Sequence, residues 1–306
     1  MSPPIVLSID SYAYMHGPLC EAGGFDRGQV ERKIFPDGER YQRIVDDLWN
    51  RDVVLLGGTI SDADTLELFD LACAAVKYGA RTLTLVIPFF GYSTMERAVK
   101  PGEVVTAKTR ARLLSAIPNA ADGSRLLLVD LHAEGVAHYF EGDLTPFHVY
   151  AKHLVLNAIR EIGGGEFVLG STDAGRAKWV ESLANDLGVP AGFILKRRID
   201  GEHTEVVALS ADVKGHAVVI YDDMIRTGSS LLRAAEAYRE AGATRVSVVA
   251  THGVFPEGAV ARMQQSGLVD QIVVSDSHPR ALQHQSDFVH VKPLAPLLAE
   301  KVVRRR

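Results

Sequence analysis

Short apolar runs recur along the chain, among them DVVLL at 52–56, RTLTLVIPFF at 81–90, RLLLVDL at 125–131, FVLGS at 167–171, AVVIY at 217–221 and RVSVVATH at 245–252. Runs of this length, rich in β-branched residues, predict strands, and LLLV and TLTLVI are apolar on both faces. That suits a sheet covered on both sides. Helical spacing fills the intervals, as over 64–78. Strands that alternate with helices predict an α/β fold on a parallel sheet.

The pattern is written twice. LLGGTISDADTLELFDLACAAVKYGA at 55–80 aligns without a gap onto VVIYDDMIRTGSSLLRAAEAYREAGA at 218–243. Each copy reads as strand, turn, helix and a closing Gly-Ala, with Gly79 and Gly242 where a helix C-terminus favours a left-handed residue. In this register Thr59 and Ile60 stand where the second copy has Asp222 and Asp223, so the first copy keeps the scaffold and lacks the acids. The junction between two such domains is expected near GDLTPFHVYA, where Pro146 breaks the periodicity, giving domains 1–147 and 148–306. The GGG at 163–165 reads as a turn within the second domain.

The stretch YDDMIRTGSS at 221–230 carries the most chemistry. A strand expected to end on two acids leads into a helix, LLRAAEAYREA, whose first-turn N–H groups and dipole favour an anion. Thr227, Gly228, Ser229 and Ser230 add hydroxyls and room for close backbone approach to a phosphate. Asp222 and Asp223 cannot also face that anion, so sugar hydroxyls or a Mg²⁺ shell are their natural partners. A ribose bearing a 5-phosphate meets both demands. His132 follows a strand at the same kind of carboxyl edge, where open α/β sheets gather ligands. KRRIDGEHTE at 196–205 lacks a hydrophobic period and is expected to be a mobile surface loop.

Composition narrows the classes. Among 306 residues, 33 Lys and Arg stand against 38 Asp and Glu, and a net charge of −5 argues against a nucleic-acid partner. Two cysteines without CxxC spacing support neither a disulfide framework nor a zinc site. No run is long enough to cross a bilayer and MSPPIVLSID does not read as a signal peptide, so no membrane partner and a cytoplasmic location are expected.

FPDGER at 35–40, DLHA at 130–133, STDAGRAK at 171–178, LKRR at 195–198 and ATHGVF at 250–255 accompany the DDMIRTGSS loop in a fixed order. Over nearly its whole length the chain resembles the ribose-phosphate diphosphokinase (phosphoribosyl diphosphate synthetase) family, in wording closest to its plant-type, class II members. The resemblance implies two type I phosphoribosyltransferase-like domains related by duplication, each a mostly parallel sheet flanked by helices. It allows the last residues to pack back on the first domain.

The implied reaction moves the diphosphoryl group of Mg-ATP, or of another nucleoside triphosphate, to the 1-hydroxyl of ribose 5-phosphate. Ribose 5-phosphate contacts then fall on Asp222, Asp223, Arg226, Thr227, Gly228, Ser229 and Ser230. His132 and Asp173 are implied to hold Mg²⁺, with Lys196, Arg198 and His132 as the catalytic set. The 196–205 segment becomes a lid. Phe35, Asp37, Glu39 and Arg97 are assigned to the nucleotide, the first three in a loop that the family often places at a dimer contact, so a homo-oligomer is expected. Two departures stand out. Thr94 and Met95 replace the Arg-Gln pair of better-known members, with Arg97 or Lys100 as candidate substitutes, and Arg226 stands where familiar members have an acid. Three rivals remain: a phosphoribosyltransferase, a non-catalytic relative serving as a regulatory subunit, and a binding module that senses ribose phosphates.

Overall fold

The computed structural model describes residues 2–172, 174–198 and 204–304, without the side chains of 174, 195–198 and 204–209. The chain divides into two compact units, Met1–Tyr150 with Leu294–Arg306, and Ala151–Pro293.

In the first unit the strands are β1 (Ile5–Ser8), β2 (Asp26–Arg27), β3 (Val30–Ile34), β4 (Arg40–Ile44), β5 (Asp52–Leu56), β6 (Thr82–Ile87), β7 (Ser124–Val129) and β8 (Leu144–Val149). Six of them form an all-parallel sheet in the order β2-β1-β5-β6-β7-β8, and β3 and β4 pair as a separate antiparallel hairpin. The helices are α1 (Ala13–Gly23), α2 (Asp62–Lys77) and α3 (Thr106–Ser115). Strands β5 and β6 are almost wholly buried, as the unbroken apolar runs predict. The segment around Pro146 expected to hold the junction is the edge strand β8. An edge strand accommodates a proline because the missing N–H faces no neighbour.

The second unit holds β9 (Phe167–Ser171), β10 (Ala191–Gly192), β11 (Ile194–Arg198), β12 (Thr204–Leu209), β13 (Ala217–Ile225), β14 (Arg245–Gly253), β15 (Gln271–Ser275) and β16 (Val289–Lys292). Its sheet is again all parallel, in the order β10-β9-β13-β14-β15-β16, which repeats the order of the first unit strand for strand. Helices α4 (Lys152–Gly163), α5 (Ala177–Leu187), α6 (Ser229–Glu240), α7 (Ala259–Gln265) and α8 (Pro279–Gln283) cover it. Val218 and Ile220 pack with Leu231, Ala234 and Tyr238 of α6 on one face. Val219 and Tyr221 pack with Val155 and Ile159 of α4 and Val180 of α5 on the other. The two-residue period of β13 thus feeds two separate cores. The last helix, α9 (Ala295–Val303), packs against α1, and the Arg125 guanidinium donates to the carbonyls of Val302 (2.6 Å) and Arg304 (3.1 Å) at its end.

Equivalent positions 163 residues apart share backbone conformation. Gly79 and Gly242 have φ of 86° and 96°, and Tyr92 and Phe255, both after the fourth strand of their sheet in chain order, have φ of 60° and 38°. The ungapped alignment nevertheless hides a shift of one helical turn. Strand β13 continues through Ile225 and α6 begins at Ser229, whereas β5 ends at Leu56 and α2 begins at Asp62. The strand expected to stop at the acid pair therefore runs past it, because β14 keeps pairing as far as Ile225 with Gly253 after β9 has ended at Ser171.

The carboxyl ends of β14 and β15 carry a buried polar cluster. His252 Nδ1 lies 2.8 Å from Ser277 Oγ, and the Ser275 and Ser277 hydroxyls donate to Thr251 O. His278 caps α8 by accepting from the Arg280 N–H, and burial, aided by Arg280 and His252, pushes its pKa down to about 4. A depressed histidine stays neutral in the fold while the unfolded chain protonates near pH 6.5, so stability falls as pH drops from about 6.5 to about 4. The loss is on the order of 2–3 kcal/mol. His278→Asn keeps a capping side chain without the titration, and denaturant titrations at pH 7 and pH 4.5 are expected to show a smaller difference for it than for the native chain.

Candidate functional site

Both sheets have a switch point, between β1 and β5 and between β9 and β13, where the chain leaves the first strand in opposite directions and a crevice opens at the carboxyl ends. In the second unit the loop from β13 to α6 sits there. Asp223 is buried and Asp222 largely so, both within β13. Five residues beyond Asp223, Gly228 is the N-cap of α6 with φ of 77°, and it has no side chain with which to occupy the first-turn donors of that helix. The hydroxyls of Thr227 and Ser229 lie 3.2 Å apart and both residues are exposed, as are Arg226 and Ser230. Ser230 Oγ accepts from Arg233 Nη2 at 3.3 Å. This is an open, donor-lined end of a three-turn helix, beside two carboxylates, and it favours an anion joined to a polyhydroxyl group.

The first unit closes the same place. Ser61 caps α2 through the Asp64 N–H, and Asp62 and Asp64 fill its first turn, so the dipole is met by the chain's own carboxylates. Thr59, at the position of Asp222, is fully buried and accepts from the Gly91 N–H at 2.7 Å. One extra turn of helix converts a cradle into a packed corner.

Arg176 meets the acid pair of the second unit. Its Nη2 is 2.7 Å from Asp223 Oδ2 and its Nε is 4.0 Å from Asp222 Oδ1. The Thr172 hydroxyl donates to Asp222 Oδ2 at 3.1 Å, and the Asp223 N–H donates to Asp222 Oδ1 at 2.9 Å. Burial first, and then the neighbouring Asp223 carboxylate, raise Asp222 to a pKa of about 7, against the opposing pull of the Asp223 N–H and Arg176. Sequence reasoning missed Arg176. Its signal was present, one of two cations in the STDAGRAK segment, but nothing in one dimension ties residue 176 to residue 223.

In the first unit His132 is half-buried just beyond the end of β7, as expected of the carboxyl edge. The preceding Asp130 is buried with φ of 34°, and its N–H donates to Val149 O. A non-glycine residue in that region is worth noting beside a candidate ligand group.

FPDGER forms the tip of the β3–β4 hairpin. Phe35 is exposed at 37 %, with Lys33 Nζ over its ring at 5.2 Å from the centroid and Tyr41 in a T-shaped contact. Asp37 Oδ1 accepts from the Glu39 N–H at 3.1 Å, which makes Asp37 a turn former as well as a candidate contact. The hairpin is anchored by Glu67 of α2, 3 % exposed, which accepts from Arg32 Nε at 2.7 Å and from the Asp10 N–H. Glu67 is a second residue that sequence reasoning passed over, because an acid on a helix normally reads as solvated. Arg97 is 79 % exposed and lies 3.5 Å from Glu96.

The segment expected as a loop at 196–205 is in part a hairpin stem. Strands β11 and β12 pair antiparallel with Arg197 opposite Glu205 and Arg198 opposite Thr204, and the register shifts between Leu195 and Lys196. Cross-strand backbone pairing supplies what side-chain periodicity did not. Residues 199–203, Asp173, and the side chains of Lys196 and Arg198 lie outside the described residues. Among the described residues no cluster of three or more His, Cys, Asp or Glu side chains is suited to a metal ion.

Residues 5–117 match a family model described as the N-terminal domain of ribose phosphate pyrophosphokinase, and residues 193–306 match a phosphoribosyl synthetase-associated domain. The chain is 33 % identical over 309 residues to the ribose-phosphate pyrophosphokinase of Thermosipho africanus, covering 99 % of this chain and 91 % of the relative. It is 34 % identical over 285 residues to that of a Nostoc species, covering 92 % and 84 %. A crystal structure of phosphoribosylpyrophosphate synthetase from Mycobacterium smegmatis superposes with a TM-score of 0.86 at 26 % identity, covering 98 % of both chains.

Proposed function

This chain belongs to the ribose-phosphate pyrophosphokinase family, and on that footing we propose how its residues carry the reaction. The enzyme joins the 1-hydroxyl oxygen of ribose 5-phosphate to the β-phosphorus of ATP. The bond from that phosphorus to the bridging oxygen of AMP breaks, the hydroxyl proton is lost, and 5-phosphoribosyl 1-diphosphate leaves for nucleotide biosynthesis. One observation carries the substrate assignment. An uncapped helix N-terminus with Thr227, Ser229 and Ser230 follows two buried acids at the sheet's switch point. The 5-phosphate takes the N–H groups of α6 while Asp222 and Asp223 accept from the ring hydroxyls. Exposed Arg226 adds a cation to the phosphate side.

Mg²⁺ binds hard oxygen donors and keeps few protein ligands when phosphates are present. By the family resemblance His132 and Asp173 would each serve such an ion, Asp173 through a carboxylate oxygen and His132 through a ring nitrogen. The chemistry a bound Mg²⁺ would supply is offset of the charge on the phosphoryl oxygens. Lys196 and Arg198 then supply fixed positive charge where the transferring group becomes most negative. Phe35 offers a face for a base, with Asp37, Glu39 and Arg97 as its polar surroundings. The two units correspond to the two duplicated phosphoribosyltransferase-like domains, with the ribose loop in the second. The enzyme is read as a cytoplasmic homo-oligomer, and among the described residues no helix is long and apolar enough to cross a membrane.

Pure protein incubated with ribose 5-phosphate, Mg²⁺ and each of several nucleoside triphosphates is expected to release the nucleoside monophosphate, fastest with ATP. Release of diphosphate in the presence of a nucleobase and phosphoribosyl diphosphate would favour a phosphoribosyltransferase instead. Absence of turnover with every donor would favour a regulatory relative.

A further inference from the structure

We propose that Arg176 is a positioning residue for ribose 5-phosphate, holding the carboxylates of Asp222 and Asp223 in the orientation that receives the sugar. The inference rests on the reading of these acids as the sugar site. The turn that follows β9 is fastened to the β13–α6 unit at three points. The Tyr238 hydroxyl of α6 accepts from the Ser171 N–H at 3.2 Å and donates to Gly192 O at 2.9 Å. The Thr172 hydroxyl donates to Asp222, and Arg176, the last residue of the short turn Ala174–Arg176, reaches Asp223. The third of these is ionic. It is also the one whose loss leaves a buried charge behind, since Asp223 is 4 % exposed and Asp222 adjoins it in sequence.

Two carboxylates this close repel each other and tend to turn apart or share a proton, and a cation against both opposes that. Arg176 does so from one side with two nitrogens, and a carboxylate has lone pairs enough to accept from a ligand besides. A guanidinium suits this task better than an ammonium, because its planar fork fixes the angle between the groups it binds. Arg176 stands three residues after Asp173 in the sequence.

The test is steady-state kinetics of Arg176→Met, Arg176→Lys, Asp223→Asn and the Arg176→Met/Asp223→Asn double variant, with thermal melting of each. Arg176→Met is expected to raise KM for ribose 5-phosphate about tenfold or more, the size of one lost charge-assisted hydrogen bond, with KM for ATP within about twofold of native. Arg176→Lys is expected to recover only part of that loss, and the double variant to be no worse than Asp223→Asn alone. Should Arg176→Met fail to fold, Arg176→Gln carries the same comparison. Native-like KM for ribose 5-phosphate in Arg176→Met, losses that add to those of Asp223→Asn, or both KM values rising together with a lower melting temperature would each overturn the proposal. If Asp223→Asn itself leaves KM for ribose 5-phosphate untouched, the sugar-site reading has failed instead, and that outcome is distinct.

Discussion

Replacing Lys196 with Ala is expected to lower kcat about a hundred- to a thousandfold, the usual consequence of deleting one preorganised charge aimed at a developing oxyanion. Transfer of a diphosphoryl group involves little covalent help from protein groups, so most of the rate must come from placement and charge. Lys196 is well situated for such a role in its backbone context. It lies in the two-stranded β11–β12 hairpin, at a shift of register with Leu195. A bulge of this kind re-aims the side chains that follow it and recurs beside active sites. Since the hairpin is separate from both six-stranded sheets, the variant is expected to melt at the native temperature. A fall in kcat without a comparable rise in either KM would mark an interaction made only in the transition state. Full turnover by Lys196→Ala would remove the lid assignment and leave the ribose site standing.

Gly228→Val should raise KM for ribose 5-phosphate about a hundredfold, through the loss of one or more charge-assisted contacts to the phosphate. Two features of the position demand glycine. Its φ of 77° costs a residue with a Cβ about 1–2 kcal/mol, and more for a β-branched one. A Cβ built there would also lie 2.5 Å from Met263 Sδ and 2.9 Å from its Cγ, in a side chain that is itself fully buried. Either the buried Met263 side chain or the backbone must move, and the strain of the left-handed φ favours a backbone shift that carries with it the first-turn N–H groups of α6. Titration calorimetry with ribose 5-phosphate checks this directly, with Gly215→Val as the reference. Gly215 is also at positive φ (80°), but nothing lies within 4 Å of its Cβ position and it is remote from the loop in sequence. Equal loss of ribose 5-phosphate binding in both variants would mean a general folding effect and not a defect of the phosphate loop.

Several readings from the chain alone stand unchanged in three dimensions. Alternating strands and helices gave two all-parallel sheets, and the ungapped repeat gave the same strand order in each. His132 falls just past β7 because an apolar run ends there, and the helix that follows the acid pair is where its spacing put it. Other readings were displaced. The strand expected to finish at Asp222 and Asp223 runs on to Ile225, since β14 supplies partners there that the local sequence does not announce. The first copy has lost more than its acids, because its helix starts a turn early and Ser61, Asp62 and Asp64 occupy the place of an anion. The charged 196–205 stretch looked featureless because backbone hydrogen bonds between strands leave no mark on side-chain periodicity.

What the order of residues determined by itself is therefore the local chemistry and the architecture. Periodicity sets strand and helix, glycine permits left-handed turns, and adjacent acids followed by hydroxyls announce a polar ligand. What only the folded chain decided is which groups compensate which charges. Arg176 meets Asp223 across 47 residues, and Glu67 receives Arg32 across 35. Electrostatic pairing depends on distance through space and on how much water remains between the partners, and neither quantity is encoded in sequence spacing once a chain crosses from one strand to another.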